Sequence, residues 1–324
     1  MWFYYLLLFV SALIFSSQFL ITKQYQRYKG ESLYTTVKLS LFAYLTIAAF
    51  FFVKGCIVGG GLVFGFSWFT FAMTLGIGVV ALLNVYMGIK VLAVGDMSVY
   101  SVFMMLGSLL MPTFVGLIFY EESFGWLKGI AIALMFGAIV LSVSGVKKGK
   151  FGWKALLYYI GIFVTNGLIG VFFTVHQNNA PLTAGATRGP DGTYAVNSDV
   201  FMTWYGLSTV LLTSVLLVVL SVRRSKIPQE KREGDLPVPG KAMAVFLALI
   251  PSLYGICNGL GDYFIALATA PGALGSSVTF PIINGGTILF STIIGWILYK
   301  EKIKGKVVAS MGLVLVSTIL FMFA

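Results

Sequence analysis

The sequence predicts an all-α integral membrane protein of ten transmembrane helices arranged as two inverted five-helix repeats, and three observations carry that expectation. Of the 324 residues, 58% are hydrophobic and only 10% charged, which leaves too little polar surface to coat a soluble globule of this size. Apolar runs recur along the chain at about the 20 residues needed to cross a hydrocarbon core about 30 Å thick. They are apolar on every face, unlike transmembrane strands, which alternate polar and apolar positions over about 10 residues. The third observation is internal duplication: the outline of Gly95 to Ser142 returns at Pro271 to Thr318. In each copy a turn-forming residue opens a long uncharged run, an acidic residue follows an aromatic (Tyr120-Glu121-Glu122; Tyr299-Lys300-Glu301), and a Gly-containing apolar run closes the unit.

The predicted helices cover 2–21, 33–53, 65–92, 97–119 and 126–146 in the first repeat, residues 1–150, and 155–175, 200–222, 243–268, 273–298 and 307–323 in the second, residues 151–324. The first run, MWFYYLLLFVSALIF, lacks the basic start and small-residue cleavage site of a secretory signal and is expected to stay as a helix. Short connections at 94–96 and 300–306 force antiparallel neighbours. Two connections are long. Residues 176–199 are rich in Gly, Pro, Asn and Asp and suit a turn or cap, and residues 223–241 mix six basic with three acidic residues as a solvated linker. Five helices are an odd number, so the second repeat enters the membrane upside down relative to the first.

Charge supplies the orientation. Of the 22 Lys and Arg residues, all but Lys38, Lys54, Lys128 and Arg188 fall in loops on the face reached after the first helix. The positive-inside rule puts that face in the cytoplasm and both termini outside. The same bias accounts for the net charge of +11, so no nucleic-acid partner is expected. A multi-pass protein of a bacterial plasma membrane is the expected setting, with the lipid bilayer as its first partner and a homodimer compatible with it.

Gly95 through Tyr120, Glu121-Glu122, Gly129 to Gly137, Gly275-Ser276-Ser277 through Tyr299-Lys300-Glu301, and Gly312 together resemble the drug/metabolite transporter superfamily, in its ten-helix form with two EamA-like domains. The resemblance covers nearly the whole chain in helix count and duplication, through loose motifs. It implies a secondary transporter that moves a small amphipathic metabolite by alternating access. Two features depart from the family: Pro112 and Pro281 lie at unequal distances before Glu122 and Glu301, and the charge bias opposes the cytoplasmic termini usual for ten-helix members.

Ionisable and amide side chains in apolar helices are costly and are the default site candidates. Asp262 stands out, with Asn258 one turn and Tyr254 two turns before it on one face. Such a stripe can bind an amine, a hydroxyl or a coupling proton, or can pair with a neighbouring helix. Asn84, Gln18, Asn166 and Asn284 are further candidate liners of a substrate site, and each amide can equally join two helices. Glu121, Glu122 and Glu301 read as solvated acids at the first turn of the following helix. Lys38 can snorkel to the basic face. Catalysis is not expected: His176 is the only histidine, no His/Glu helix motif accompanies it, and Cys56 and Cys257 suggest neither a metal site nor a redox pair. No G-x-x-x-x-G-K-[ST] loop occurs, so neither nucleotide nor another cofactor is expected. A small-molecule substrate is the expected partner. A lipophilic-cation or drug exporter is the alternative within transport, although the first helix lacks an acidic residue, and a non-transporting membrane scaffold subunit is the alternative outside it.

Overall fold

A computed structural model describes residues 2–30, 32–62, 64–94, 97–121, 124–144, 153–225, 240–270, 272–299 and 305–323. Among them are ten α-helices: α1 (Trp2–Lys29), α2 (Leu33–Val58), α3 (Trp68–Val94), α4 (Met97–Phe119), α5 (Trp126–Ser144), α6 (Trp153–Asn178), α7 (Ser198–Ser225), α8 (Gly240–Thr269), α9 (Ser276–Tyr299) and α10 (Gly305–Met322). Seven of them, α1, α2, α3, α6, α7, α8 and α9, contain stretches long and apolar enough to cross a membrane. The apolar stretches of α4, α5 and α10 are shorter, at Phe103–Phe119, Trp126–Ala138 and Val308–Phe321. The chain is a helical membrane protein.

Helix ends follow local chemistry. Ser32 caps α2, its hydroxyl accepting the Thr35 N–H at 3.2 Å, and the chain leaves that helix through Gly59 and a left-handed Gly60. Asn197 Oδ1 accepts the N–H groups of Asp199 and Val200, both at 3.1 Å, at the start of α7. These side chains satisfy amides that a first helical turn leaves unpaired. Observed ends differ from the expected ones by a few residues. The larger differences are at α1, which continues to Lys29, and at α2, which continues to Val58, and α6 also runs on through His176 to Asn178. His176 is therefore a buried helical residue, not a loop residue.

The long connection after α6 is ordered: a 3₁₀ turn (Ala180–Leu182) precedes a hairpin of β1 (Thr187–Arg188) and β2 (Tyr194–Ala195), paired antiparallel with Thr187 opposite Ala195. Asp191 turns it, accepting from the Thr193 hydroxyl at 2.7 Å and amide at 3.1 Å. These bonds hold the Asp191 carboxyl below its ordinary range. Glu121 lies ahead of α5 with a left-handed φ of 52°, so the expectation of an acid in the first turn of α5 is corrected: that turn contains none. Glu122, Glu301 and residues 226–239 of the basic linker lie outside the described residues.

The helices gather into two compact units, each drawing on both sequence halves. Unit 1 comprises Met1–Ser16, Lys90–Asn178 and Phe264–Ala324; unit 2 comprises Ser17–Ile89 and Asn179–Tyr263. In unit 2, α2 packs along α7; in unit 1, α4 packs against α6 and α9, and α5 against α10. Three of these pairs, α2 with α7, α4 with α9 and α5 with α10, join a helix to the one five places later.

Helices buried in an apolar surround gain little from the hydrophobic effect between them, so close backbone approach and polar bonds hold them together. In unit 1 the Ser310 hydroxyl of α10 donates to Ala138 O of α5 at 2.8 Å and Ser317 to Ala131 O at 2.7 Å. Also in unit 1, a Cβ on Gly107 of α4 would collide with the Phe163 carbonyl of α6. In unit 2, one on Gly206 of α7 would lie 2.5 Å from the Ala48 nitrogen of α2. The opposing atoms are backbone and cannot swing away. Gly107→Ala and Gly206→Ala are each expected to lower stability by about 1–3 kcal/mol, the cost of overpacking a filled interface, read as a lower midpoint in detergent unfolding; parental midpoints would show that these helices can separate freely.

Candidate functional site

In unit 2 the sequence-predicted stripe of α8 is the centre of a buried polar chain. Asp262 is 8% exposed. Asn258 Nδ2 donates to Asp262 Oδ2 at 2.7 Å, and Gln18 Nε2 of α1 donates to Asn258 Oδ1 at 3.1 Å. The order of donors is set by the carboxylate, which can only accept when ionised. It takes the Asn258 amide N–H, and that turns the Asn258 oxygen toward Gln18. Each amide in the chain has thus a defined orientation.

Three tyrosines complete the neighbourhood. Tyr254 in α8, Tyr44 in α2 and Tyr205 in α7 lie within electrostatic reach of the Asp262 carboxyl. Tyr44 and Tyr205 are hydrogen-bonded to each other at 2.9 Å, their rings edge-on with centroids 5.1 Å apart. Gly255 positions the stripe, because a Cβ there would strike the Ala43 carbonyl of α2, so α8 lies directly on α2 one turn before Asn258. No Lys, Arg or His pairs with Asp262 among the described residues. The nearby cation Lys54 is engaged elsewhere: its ammonium contacts both Asp199 oxygens, at 2.7 and 2.9 Å, and the Tyr263 hydroxyl at 2.9 Å. This joins α2, α7 and α8 of unit 2 by an ion pair that sequence inspection did not find, its partners being 145 positions apart.

The remaining candidates divide between the units. Asn84 is buried in α3 of unit 2. Asn166 and Asn284 belong to unit 1. Asn166 Nδ2 donates to the Met104 carbonyl of α4 at 2.7 Å, a bond between helices. Asn284 Oδ1 in α9 accepts the Ser108 hydroxyl of α4 at 2.9 Å, beside a small cavity lined by Met105, Leu106, Leu109, Met135, Ala138 and Ile288. Of the seven predicted site residues, then, Gln18, Asn258 and Asp262 form one continuous chain, Tyr254 lies within its electrostatic reach, and Asn284 lines a cavity in the other unit.

No family model matches this chain, and no curated protein does. Solved structures match it in fold. One, described as "Crystal structure of protein", superposes with a TM-score of 0.68 at 14% identity, over 99% of this chain and 97% of its own length. At that identity the likeness carries the fold alone.

The Tyr44–Tyr205 pair offers a direct measurement of how tightly this neighbourhood is closed. Changing Tyr205 to Phe removes the hydrogen-bond partner of the buried Tyr44 hydroxyl, at a cost of about 1–3 kcal/mol, which removing the Tyr44 hydroxyl as well relieves. Tyr205→Phe is expected to lower the unfolding midpoint, and adding Tyr44→Phe to recover part of the loss. Additive losses would show that the hydroxyls have separate partners.

Proposed function

We propose that this protein is a secondary transporter that moves a small amphipathic solute across its membrane by alternating access, with Asp262 as the group that couples transport to a proton. The observation that carries the proposal is a buried carboxylate in an apolar helix, hydrogen-bonded to a neutral amide and without a cationic partner among the described residues. Such a group is expensive within a membrane, and a proton or a positively charged portion of a solute removes the expense. Gln18, Asn258 and Tyr254 supply neutral donors and acceptors around it, suited to hydroxyl, amide or amine groups of a solute.

The pairing of α2 with α7, α4 with α9 and α5 with α10 supports a chain of two related five-helix repeats, as the duplication of Gly95–Ser142 at Pro271–Thr318 suggests. It also supports membership of the drug/metabolite transporter superfamily in its EamA-like branch. Inverted repeats of this kind are a common basis of secondary transport. The charge bias supports placing the basic loops in the cytoplasm. The same uncompensated carboxylate favours export of a lipophilic cation as the second reading.

The test uses proteoliposomes loaded with a pH-sensitive dye and challenged with metabolites that raise the thermal midpoint of the purified protein, since ligands of the folded state stabilise it. The parent is expected to change the lumenal pH when solute is added. Asp262→Asn, which keeps the size and hydrogen-bonding capacity of the side chain but cannot titrate, is expected to abolish the pH change while retaining solute binding. A pH change of parental size in Asp262→Asn would remove Asp262 as the coupling group.

A further inference from the structure

Three helices of unit 2 meet at one charged junction. Lys54 Nζ of α2 donates to both carboxylate oxygens of Asp199 in α7, at 2.7 and 2.9 Å, and to the Tyr263 hydroxyl of α8 at 2.9 Å. Contacts along the same helices place that junction. Ala43 of α2 lies against Gly255 of α8, Phe51 against Gly259, and Lys54 against Tyr263, so α2 and α8 run side by side in one direction. Helix α7 runs the opposite way, with Gly206 against Ala48 and Asp199 against Gly55. Lys54 therefore ties the closing turns of α2 and α8 to the opening turn of α7. Tyr263 directly follows Asp262, so the junction stands next to the buried carboxylate, over the Phe51–Tyr263 ring pair with its centroids 5.1 Å apart.

The side chains of Lys54 and Asp199 are 29% and 15% exposed, between the two extremes of ion-pair behaviour. A pair wholly in water holds little. A pair wholly out of water cannot part without stranding two charges at high cost. Here each charge has somewhere to go. The flexible Lys54 stem can carry its ammonium to water, and Asp199 lies in the first turn of α7, where the helix dipole favours a negative charge even without its partner. The junction can hold three helix ends and can also release them.

We infer that Lys54, Asp199 and Tyr263 form a latch that closes unit 2 at the start of α7, and that parting of the latch opens the Asp262 chain to the aqueous face on that side. The latch rests on the transport reading for its purpose, because alternating access rocks one part of the protein against another to expose the site to one face at a time. Its opening is measurable without transport.

The test places a thiol in the Asp262 chain and times its modification. Full-length protein in lipid nanodiscs carries Cys56→Ser, Cys257→Ser and the reporter Asn258→Cys, and is treated with the membrane-impermeant thiol reagent MTSET. Modification at position 258 is read by peptide mass spectrometry. Adding Lys54→Met is expected to raise its rate about ten-fold, the equivalent of about 1.4 kcal/mol taken from the closed state. Lys54→Arg keeps the charge and its donors and is expected to leave the rate close to that of the reporter alone. Gly55→Cys with Asp199→Cys supplies a covalent substitute for the latch, since a Cβ at position 55 lies 3.3 Å from the Asp199 Cβ, near the spacing of about 3.5–4.5 Å that a disulfide spans. Its oxidised form is expected to react at position 258 more slowly than its reduced form. Gln18→Cys serves as the reporter if Asn258→Cys fails to fold, with the same order of rates expected. A rate in Lys54→Met equal to that of the reporter alone, an Arg variant as fast as Lys54→Met, or equal rates in the oxidised and reduced forms would each overturn the latch. A parental pH change in Asp262→Asn removes the coupling role and leaves these rates untouched, whereas equal rates remove the latch and leave the coupling test untouched.

Discussion

A hydrocarbon surround offers no hydrogen-bond partner, and most of this structure follows from that constraint. Backbone groups satisfy one another within helices, and the polar side chains of those helices must then find partners within the protein. The hydroxyls of Ser310 and Ser317 reach carbonyls of α5; Asn166 reaches one of α4; Gln18, Asn258 and Asp262 satisfy one another in sequence. Among the described residues the accounting stays open at several buried atoms, the Asn284 nitrogen and the hydroxyls of Ser40, Thr113, Thr287 and Thr318 among them, and the Asp262 carboxyl has no cationic partner.

Asp262 and Asn284 differ in what they lack. Asp262 accepts a hydrogen bond from Asn258 but has no cationic partner among the described residues, which is the ground on which it is proposed to bind a proton. Asn284 has its oxygen bonded to Ser108, and its amide nitrogen has no hydrogen-bond partner among the described residues, beside a cavity otherwise lined by apolar side chains.

Much of this was legible from residue order, and the reasons divide by distance along the chain. The i, i+4 relation of Asn258 and Asp262 is local and survived intact; ten helices are present among the described residues, seven of them long and apolar enough to cross a membrane. Gln18 was recognisable as an amide in an apolar helix, but its attachment to Asn258, 240 positions away, needed the fold. Tyr44 and Tyr205 were hidden among 16 tyrosines, because aromatic side chains serve membrane interfaces and interiors alike and composition does not sort them. Lys54 read as a residue of the outer face, yet it sits within α2 paired to Asp199. The compact units interleave the two sequence halves for a related reason: α2 packs on α7, α4 on α6 and α9, and α5 on α10, and contact partners so far apart leave no trace in local periodicity.

The aromatic residues carry one last consequence. Of the six tryptophans, Trp2, Trp68, Trp126, Trp153 and Trp296 are each more than half exposed. Trp204 instead donates its indole N–H to the Gly65 carbonyl and packs against the rings of Phe64, Phe66 and Phe71. A single indole is thus tied to the α2–α3 connection at the start of α7, a few residues from Asp199. Retained alone after replacement of the other five by phenylalanine, it would act as an intrinsic optical probe: rearrangement of that connection would register as a shift in its emission, with no label attached.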